Sequence, residues 1–322
     1  MDLNDYRNLG KAILPEEAGI RIDRHLGERF LFLSRNEWAK RLKKGEVFVN
    51  QIPVKSSYRL RPNDEICYFC PPSKEPDVNR EIKIVWEQDG VIGVYKPPNL
   101  PMHEGGRYRK NTFYELVISE IGPEWAAVHR LDRETSGIVL CANTPELRNT
   151  LSKELRERTM EKTYFAIVHG IPEKEKFLVD QPLGETLETK FRIKNWVIPG
   201  GMPSQTFYEV LATKGEYSLL KVFPKTGRTH QIRIHSSYLG HHLIGDKKYH
   251  PDESVYLEYL GHGFTERIEQ AVKFDRLCLH ATNLKFLHPL NNELCEIDIP
   301  MPDDMRQVWE QLTCHSPERS ED

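Results

Sequence analysis

The sequence predicts an α+β chain in two parts, and three observations carry the prediction. Helical stripes with capping signals and short strand-like runs are interspersed along the chain, so neither kind of element accounts for it alone. Asp89-Gly90, between the apolar runs 82–86 and 91–95, marks a tight hairpin, the connection of antiparallel neighbours. Pro71-Pro72-Ser73-Lys74-Glu75-Pro76-Asp77 has three prolines, charge and no apolar period, and reads as a stiff linker. Residues 1–18 are an expected extension, 19–70 a small first domain, 71–79 the linker, 80–302 a large second domain, and 303–322 a short helix with an acidic tail.

With 322 residues, 39% of them hydrophobic and 29% charged, the chain has material for two cores and a water-exposed surface. No apolar run approaches the roughly 20 residues that span a bilayer. Met1 to Gly10 carry acids where a secretory signal would be apolar. The expectation is a cytoplasmic protein with no membrane partner. Six cysteines suit a reducing compartment. Cys67 and Cys70 form a lone Cys-x-x-Cys with no second pair at zinc-ribbon spacing, so no metal is expected there. A net charge of −3 excludes a uniformly basic nucleic-acid coat but not a locally basic face.

In the first domain Ile22, Leu26 and Phe30 lie four apart and make one stripe of a short helix. Ser34-Arg35-Asn36-Glu37 has the form of a capping box opening a second helix, with Trp38 and Leu42 on its buried side and Gly45 at its end. Residues 47–49 and 66–69 read as strands. The second helix carries Arg35, Lys40, Arg41, Lys43 and Lys44 against the single acid Glu37. Charge alone leaves a solvated face and contact with RNA phosphates equally open.

In the second domain the hairpin ends at Lys96, which opens a rigid proline loop and faces either a phosphate or solvent. Gly105-Gly106-Arg107-Tyr108-Arg109-Lys110 interleaves cations with an aromatic, which suits single-stranded nucleic acid and equally a surface loop. A helix is expected from Thr112 to Ile121. Thr144-Pro145 starts another, with Leu147, Leu151 and Leu155 on one side and Lys153, Arg156 and Arg158 on the rest. Lys162 to Val168 is a strand that puts Lys162 and Tyr164 on one face. Residues 172–205 read as a loop-rich excursion with one half-exposed strand at 190–194, its cations facing solvent or RNA. Ser204 to Ala212 and Tyr217 to Phe223 are further strands.

Lys225-Thr226-Gly227-Arg228-Thr229-His230 is a glycine-basic turn feeding a helix, a ready anion site, with Thr229 as the expected cap and Tyr238 or Leu239 as the end. Arg233 lies inside that helix, where packing fixes it better than Arg228, and is the better candidate to pair with a carboxylate. His230, His235, His241 and His242 lie close together, but no carboxylate or Cys completes a usual metal spacing, so no metal is expected. Leu277 to Ile299 adds two strands.

The chemistry concentrates in His129-Arg130-Leu131-Asp132-Arg133-Glu134-Thr135-Ser136-Gly137, followed by the apolar Ile138-Val139-Leu140. In an extended loop, Arg130 and Glu134 point with Asp132. The flanking arginines would keep Asp132 ionised, and an ionised carboxylate in a cleft serves as base, nucleophile or electrostatic stabiliser. Thr135 and Ser136 would hydrogen-bond the loop into shape, and Gly137 would permit a turn. A structural Asp–Arg network is the plainer alternative. A glycoside-hydrolase pair of Asp132 with Glu134 is another. A non-catalytic RNA-binding scaffold is a third, against which the joint presence of Asp132, Tyr164 and Arg233 argues.

His129-Arg130-Leu131-Asp132-x-x-Thr135-Ser136-Gly137 resembles the signature of the RluA family of RNA pseudouridine synthases. Lys96-Pro97, Lys162-x-Tyr164, Gly227-Arg228-Thr229-His230-Gln231-Ile232-Arg233 and Ile244-Gly245-Asp246 appear in the family's order, so the resemblance covers about residues 80–302. Through Arg21-Ile22-Asp23-Arg24-His25-Leu26, Ser34-Arg35 and Lys44-Gly45-Glu46-Val47-Phe48-Val49-Asn50, residues 19–69 resemble the S4 RNA-binding domain, a helix-turn-helix-like pair on a small sheet.

These resemblances imply a catalytic core with a mixed, largely antiparallel sheet flanked by helices and an RNA cleft across one face. They imply isomerisation of uridine in structured RNA, either large-subunit ribosomal RNA or tRNA, by base flipping, glycosidic cleavage and reattachment through C5, without a cofactor. Asp132 is the implied catalytic aspartate. Tyr164 stacks on the uracil and assists proton removal, Arg233 pairs with Asp132, and Arg130 fills the gap left in the RNA stack. His129, Arg133, Arg228, Thr229, His230, Lys96 and Arg107 are expected to contact RNA, as are Arg35, Lys40, Lys43 and Lys44 in the first domain. A monomer with no obligate protein partner is expected.

Overall fold

The computed structural model describes residues 6–8, 13–30, 33–69, 75–106, 108–186, 188–189 and 194–312. The chain divides into two compact units, Met1–Pro76 and Asp77–Asp322.

The first unit has strands β1 (Tyr6–Asn8), β2 (Val47–Val49), β3 (Ile52–Pro53) and β4 (Ile66–Phe69), and helices α1 (Ile22–Arg29) and α2 (Arg35–Lys43). The strands form one antiparallel sheet in the order β1-β4-β2-β3. The expected capping box is present: Ser34 Oγ accepts from the Glu37 N–H at 3.3 Å, and the Glu37 carboxylate accepts from the Ser34 N–H at 2.7 Å. Trp38 and Leu42 enter a core shared with Ile22, Leu26 and Ile66. The segment read as an extension supplies β1 and the buried Ile13. A three-residue edge strand is too short to show a period in the sequence.

The second unit is built on one large mixed sheet. In chain order its strands are β5 (Lys83–Gln88), β6 (Val91–Lys96), β7 (Ala126–Ala127), β8 (Ser136–Ala142), β9 (Glu161–His169), β10 (Lys176–Asp180), β11 (Leu183–Thr186), β12 (Lys194–Val197), β13 (Gln205–Lys214), β14 (Tyr217–Pro224), β15 (Leu279–Leu287) and β16 (Leu294–Asp298). The main order is β10-β13-β14-β9-β15-β8-β6-β5, with β7 beside β8 and β16 beside β15; β11 and β12 make a separate hairpin. The helices are α3 (Phe113–Leu116), prolonged by a π turn over Val117–Ile121, then α4 (Pro145–Glu157), α5 (Gln231–Tyr238), α6 (Ser254–His262), α7 (Glu266–Val272) and α8 (Asp303–Gln311). Gln88 lies opposite Val91, and Asp89 and Gly90 have φ of 41° and 81°, the left-handed pair that a two-residue hairpin needs.

The site grows from the one parallel pairing of this sheet among the described residues, β8 with β15. Gly137 pairs with Ala281 there at φ +126°, and a Cβ on Gly137 would overlap the Ala281 carbonyl oxygen. The motif glycine is thus required by the close approach of two strands. Ser136 Oγ bonds His280 Nδ1 at 2.9 Å and accepts from the Arg276 guanidinium at 2.6 Å. Thr135 Oγ1 is buried with no partner, so of the two hydroxyls expected to shape the loop only Ser136 does so.

Residues 172–205 hold more structure than expected: β10 joins the main sheet, and β11 and β12 pair with each other. Their faces are half-exposed, which blurs the alternation a strand shows in sequence. Residues 190–193 lie outside the described residues. Lys194 is buried, bonded to Glu253 at 2.8 Å and set 4.6 Å from the centre of the Trp196 ring, so it does not face RNA. Helices α6 and α7 add to what the sequence predicts. Cys70, Arg107 and the tail from 313 lie outside the described residues. Among the described residues no helix is long and apolar enough to cross a membrane.

Candidate active site

Asp132 opens a turn and not an extended loop: its carbonyl accepts from the Thr135 N–H at 3.1 Å, with Arg133 and Glu134 at the corner. The turn separates the two carboxylates. Glu134 lies 3.2 Å from the Arg233 guanidinium and 3.6 Å from that of Arg133. Asp132 faces a pocket of about 210 Å³, with Tyr164, Ile232 and Leu279 among its apolar walls and Arg130, Lys162, Arg228 and Arg233 among its cations. Among the described residues Asp132 is the only carboxylate lining it, which removes the Asp132–Glu134 pair of the glycosidase alternative.

Arg233, on α5, is buried and grips Asp246 with two parallel hydrogen bonds of 2.7 Å. Its remaining nitrogen stands 4.0 Å from Asp132 Oδ2. The Arg233–Asp132 pair expected from the sequence is present at this 4.0 Å separation, and Asp246, which the sequence reading did not name, is the tighter partner. Asp246 is fixed in turn, since its Oδ1 accepts from the N–H groups of Lys248 and Tyr249 at 3.0 Å each. The preceding Gly245 has φ +80°, and a Cβ there would overlap the Arg276 carbonyl. Burial acts against the Asp246 charge, yet Arg233 overrides it and holds the carboxyl below its ordinary value.

Asp132 goes the other way. Burial pushes its carboxyl up, Arg233 and Arg130 pull it back, Glu134 and Asp246 push it further, and the net direction is upward. The cations around it, Arg233 and Arg130, favour the ionised form as expected but do not offset the desolvation of the group. Tyr164 stands on β9, between β14 and β15, and is 9% exposed. Burial and the nearby Asp132 raise its phenol, so it stays protonated at neutral pH.

His230 adopts a left-handed conformation, φ 57°, and α5 starts behind it without a side-chain cap; the exposed Thr229 is not the cap expected. His230 Nδ1 bonds the Tyr249 hydroxyl at 2.8 Å, and its Nε2 lies 3.9 Å from Asp132. Burial and the neighbouring Arg233 push the imidazole well down, so it is neutral and offers no charge to a phosphate. The turn before α5 is filled by the Gln231 amide, which accepts from Thr226 Oγ1 at 2.6 Å and the Arg228 N–H at 3.1 Å. It donates to the Gln205 carbonyl and Thr206 Oγ1 at 2.9 Å each.

Two of the expected RNA contacts are engaged within the fold, although His129 also lines the pocket. His129 Nε2 accepts from the Leu140 N–H at 3.0 Å, and burial followed by Lys162 pushes its ring down to about 3. Lys96 is fully buried, and its ammonium donates to the carbonyls of Pro97 and Leu100 at 2.9 Å and of Arg133 at 3.0 Å. It faces neither phosphate nor solvent; it ties the proline loop to the Asp132 turn. Lys96→Met would strand three buried carbonyls, each costing about 1–3 kcal/mol. A urea melt should show a loss of roughly 3 kcal/mol or more, while RNA affinity in filter binding stays within about twofold. Lost affinity at unchanged stability would restore the phosphate reading.

Among the other expected contacts, Arg130 is exposed at the pocket, and Arg228 lines it while bonding the Pro203 carbonyl at 3.4 Å. Arg133 donates to the Tyr108 hydroxyl at 3.3 Å. In the first unit Lys40, Lys43 and Lys44 are exposed around a shallow groove. Arg35 is partly occupied by the buried Asp23, at 3.1 and 3.2 Å. Sequence reasoning missed Asp246, Gln231 and Tyr249 as site residues. Asp246 carried a signal: it is the only acid between Glu216 and Asp252, in a stretch with six Lys and Arg residues.

The sequence profile of RNA pseudouridylate synthases matches residues 90–238, and that of the S4 domain matches residues 20–66. Ribosomal large subunit pseudouridine synthase C of Vibrio parahaemolyticus is 33% identical over 307 residues, covering 90% of this chain and 92% of that protein. The protein of the same description from Escherichia coli O157:H7 is 32% identical over 319 residues, covering 94% and 95%. Human RNA pseudouridylate synthase domain containing 4 shares the fold, with 23% identity and a TM-score of 0.55 over 70% of this chain and 91% of that one. With its α+β core, its Asp132 pocket and relatives matching along nearly the whole length, this chain belongs to the RluA family of RNA pseudouridine synthases and carries an N-terminal S4 domain.

Proposed function

We propose that this synthase acts on uridine in large-subunit ribosomal RNA, with Asp132 as the catalytic carboxylate. One observation carries the assignment: Asp132 is the sole carboxylate, among the described residues, in a pocket otherwise walled by an aromatic ring, aliphatic side chains and cations. The reaction breaks the bond from C1′ to N1, turns the uracil, joins C1′ to C5 and releases the C5 proton, while the freed N1 takes up a proton. No electron or water is consumed, so one carboxylate suffices to attack or to take a proton. A carboxylate this recessed is reached only by a base that has left its stack. Tyr164 offers the uracil a face. Arg233, clamped by Asp246, orients Asp132, and Arg130 occupies the space the flipped nucleotide leaves. The apolar wall keeps water from the cleaved intermediate.

The names of two relatives that match nearly end to end support large-subunit ribosomal RNA over tRNA. Lys40, Lys43 and Lys44 of the S4 unit hold phosphates of that RNA without reading its bases. The protein works as a cytoplasmic monomer and needs no protein partner. The test uses unmodified large-subunit ribosomal RNA transcribed with tritium at uridine C5. The protein should release label to water in proportion to the sites modified, and release none from labelled tRNA. Release from tRNA alone would move the substrate, and retention on both RNAs would sink the proposal.

A further inference from the structure

The wall of the Asp132 pocket continues into a second depression, of about 270 Å³, that none of the roles above uses. The two share Lys162, Pro224, Thr226, Gly227 and Arg228, while Lys225 lines the second alone. The second is lined by five cations, Arg156, Arg158, Lys162, Lys225 and Arg228, and by no carboxylate among the described residues. They come from separate places in the chain: the end of α4, the residue just past it, the start of β9, and the turn between β14 and α5.

Several surface cations of this unit meet a carboxylate, as Lys153 meets Glu157 at 3.8 Å and Lys176 meets Glu209 at 2.9 Å. Among the described residues Arg156, Arg158, Lys162 and Lys225 have no such partner. Converging like charges repel, and an anionic ligand would relieve them. Lys162 is half-buried, and burial alone lowers its ammonium, with no acid opposing the shift. Arg158 caps α4 in the left-handed conformation, φ 63°, a position that glycine takes with less strain. Further along, Lys221 and Lys285 continue the lining, but Glu161, Glu296 and Asp298 join them, so the purely basic stretch ends there.

We propose that this depression is a subsite for backbone phosphates of the RNA strand, beside the uridine held over Asp132. It rests on the reading of the Asp132 pocket as the uridine site. Five cations spread over four places in the chain exceed what one phosphate can use, and the acids beyond them limit the subsite to about two phosphates.

The test is the double variant Arg156→Gln/Lys225→Gln. Both side chains are exposed, and the Lys225 hydrogen bond to Gln205 is made by its backbone. On the labelled ribosomal transcript, KM should rise roughly tenfold while kcat stays within about twofold. The slope of log K against log salt should become shallower by about 1.4, two phosphates at about 0.7 each for a single strand. The charge-keeping Arg156→Lys/Lys225→Arg should preserve both values. An unchanged KM and salt slope in the Gln variant would overturn the subsite, as would a fall in kcat at unchanged slope. The salt slope is read from binding whether or not the transcript turns over. Inactivity of the unaltered protein would therefore strike the Asp132 reading and leave the subsite separately judged.

Discussion

Asp132→Asn is expected to abolish tritium release, a loss of at least about 10⁴-fold in kcat, while RNA binding stays within about threefold. The turn that presents Asp132 uses its backbone carbonyl, so the amide side chain leaves the turn intact. The same variant should be more stable than the unaltered protein at pH 7.5. The Asp132 carboxyl is raised from 3.8 by burial, so the folded chain holds this proton more tightly than the unfolded chain. Below 3.8 the carboxyl is neutral in both states and costs nothing. As pH rises from 3.8 through the folded-state value, folding loses stability, and above that value the loss is constant. Asparagine does not ionise, so the difference in melting temperature should open across that window and close again in acid. If the ionised form is the reactive one, the acid limb of kcat/KM for the unaltered enzyme should also fall above 3.8. An inactive variant that melts lower at neutral pH would revive the plainer reading, in which Asp132 is a structural anion.

That contrast also explains which parts of the site are legible in the sequence. The density of chemistry at 129–137 is visible because a loop that only connects strands has little use for it. Tyr164 and Arg233 are visible because strand and helix periods set their faces. Burial of a charge is not visible. Lys96 and His129 look like RNA contacts by residue type, yet the acceptors of Lys96 are supplied by residues 97, 100 and 133, and His129 is spent on Leu140. An extended loop would put Glu134 on the face of Asp132, and one hydrogen bond from Thr135 turns it away. The hairpin at Asp89-Gly90 and the caps at Ser34 and Thr144 follow local rules and are legible. β1, β11 and β12 exist through pairing with distant or half-exposed partners, which leaves no period in a short segment.

Asp246→Leu is expected to be the most damaging single change to the fold of the second unit. It removes one partner of a fully buried, two-bond ion pair and leaves the Arg233 guanidinium with only Glu134 at 3.2 Å and Asp132 at 4.0 Å. It also strands the N–H groups of Lys248 and Tyr249. Breaking such a pair costs about 3–5 kcal/mol. In a unit of this size that is a fall in melting temperature of roughly 6–20 °C. The catalytic loss should exceed what unfolding explains. Freed from Asp246, Arg233 moves onto Asp132 and pulls its carboxyl down, so tritium release measured well below the variant's melting temperature should fall by about 10² or more. Arg233→Lys separates the two effects. It keeps the charge but cannot bridge Asp246 with a parallel fork while facing Asp132 and Glu134. Much of the stability should survive in Arg233→Lys, and little of the activity. An Asp246→Leu variant that melts and turns over ribosomal RNA like the unaltered protein would show that Asp132 is held by its own turn alone, and that the clamp behind Arg233 has no part in catalysis.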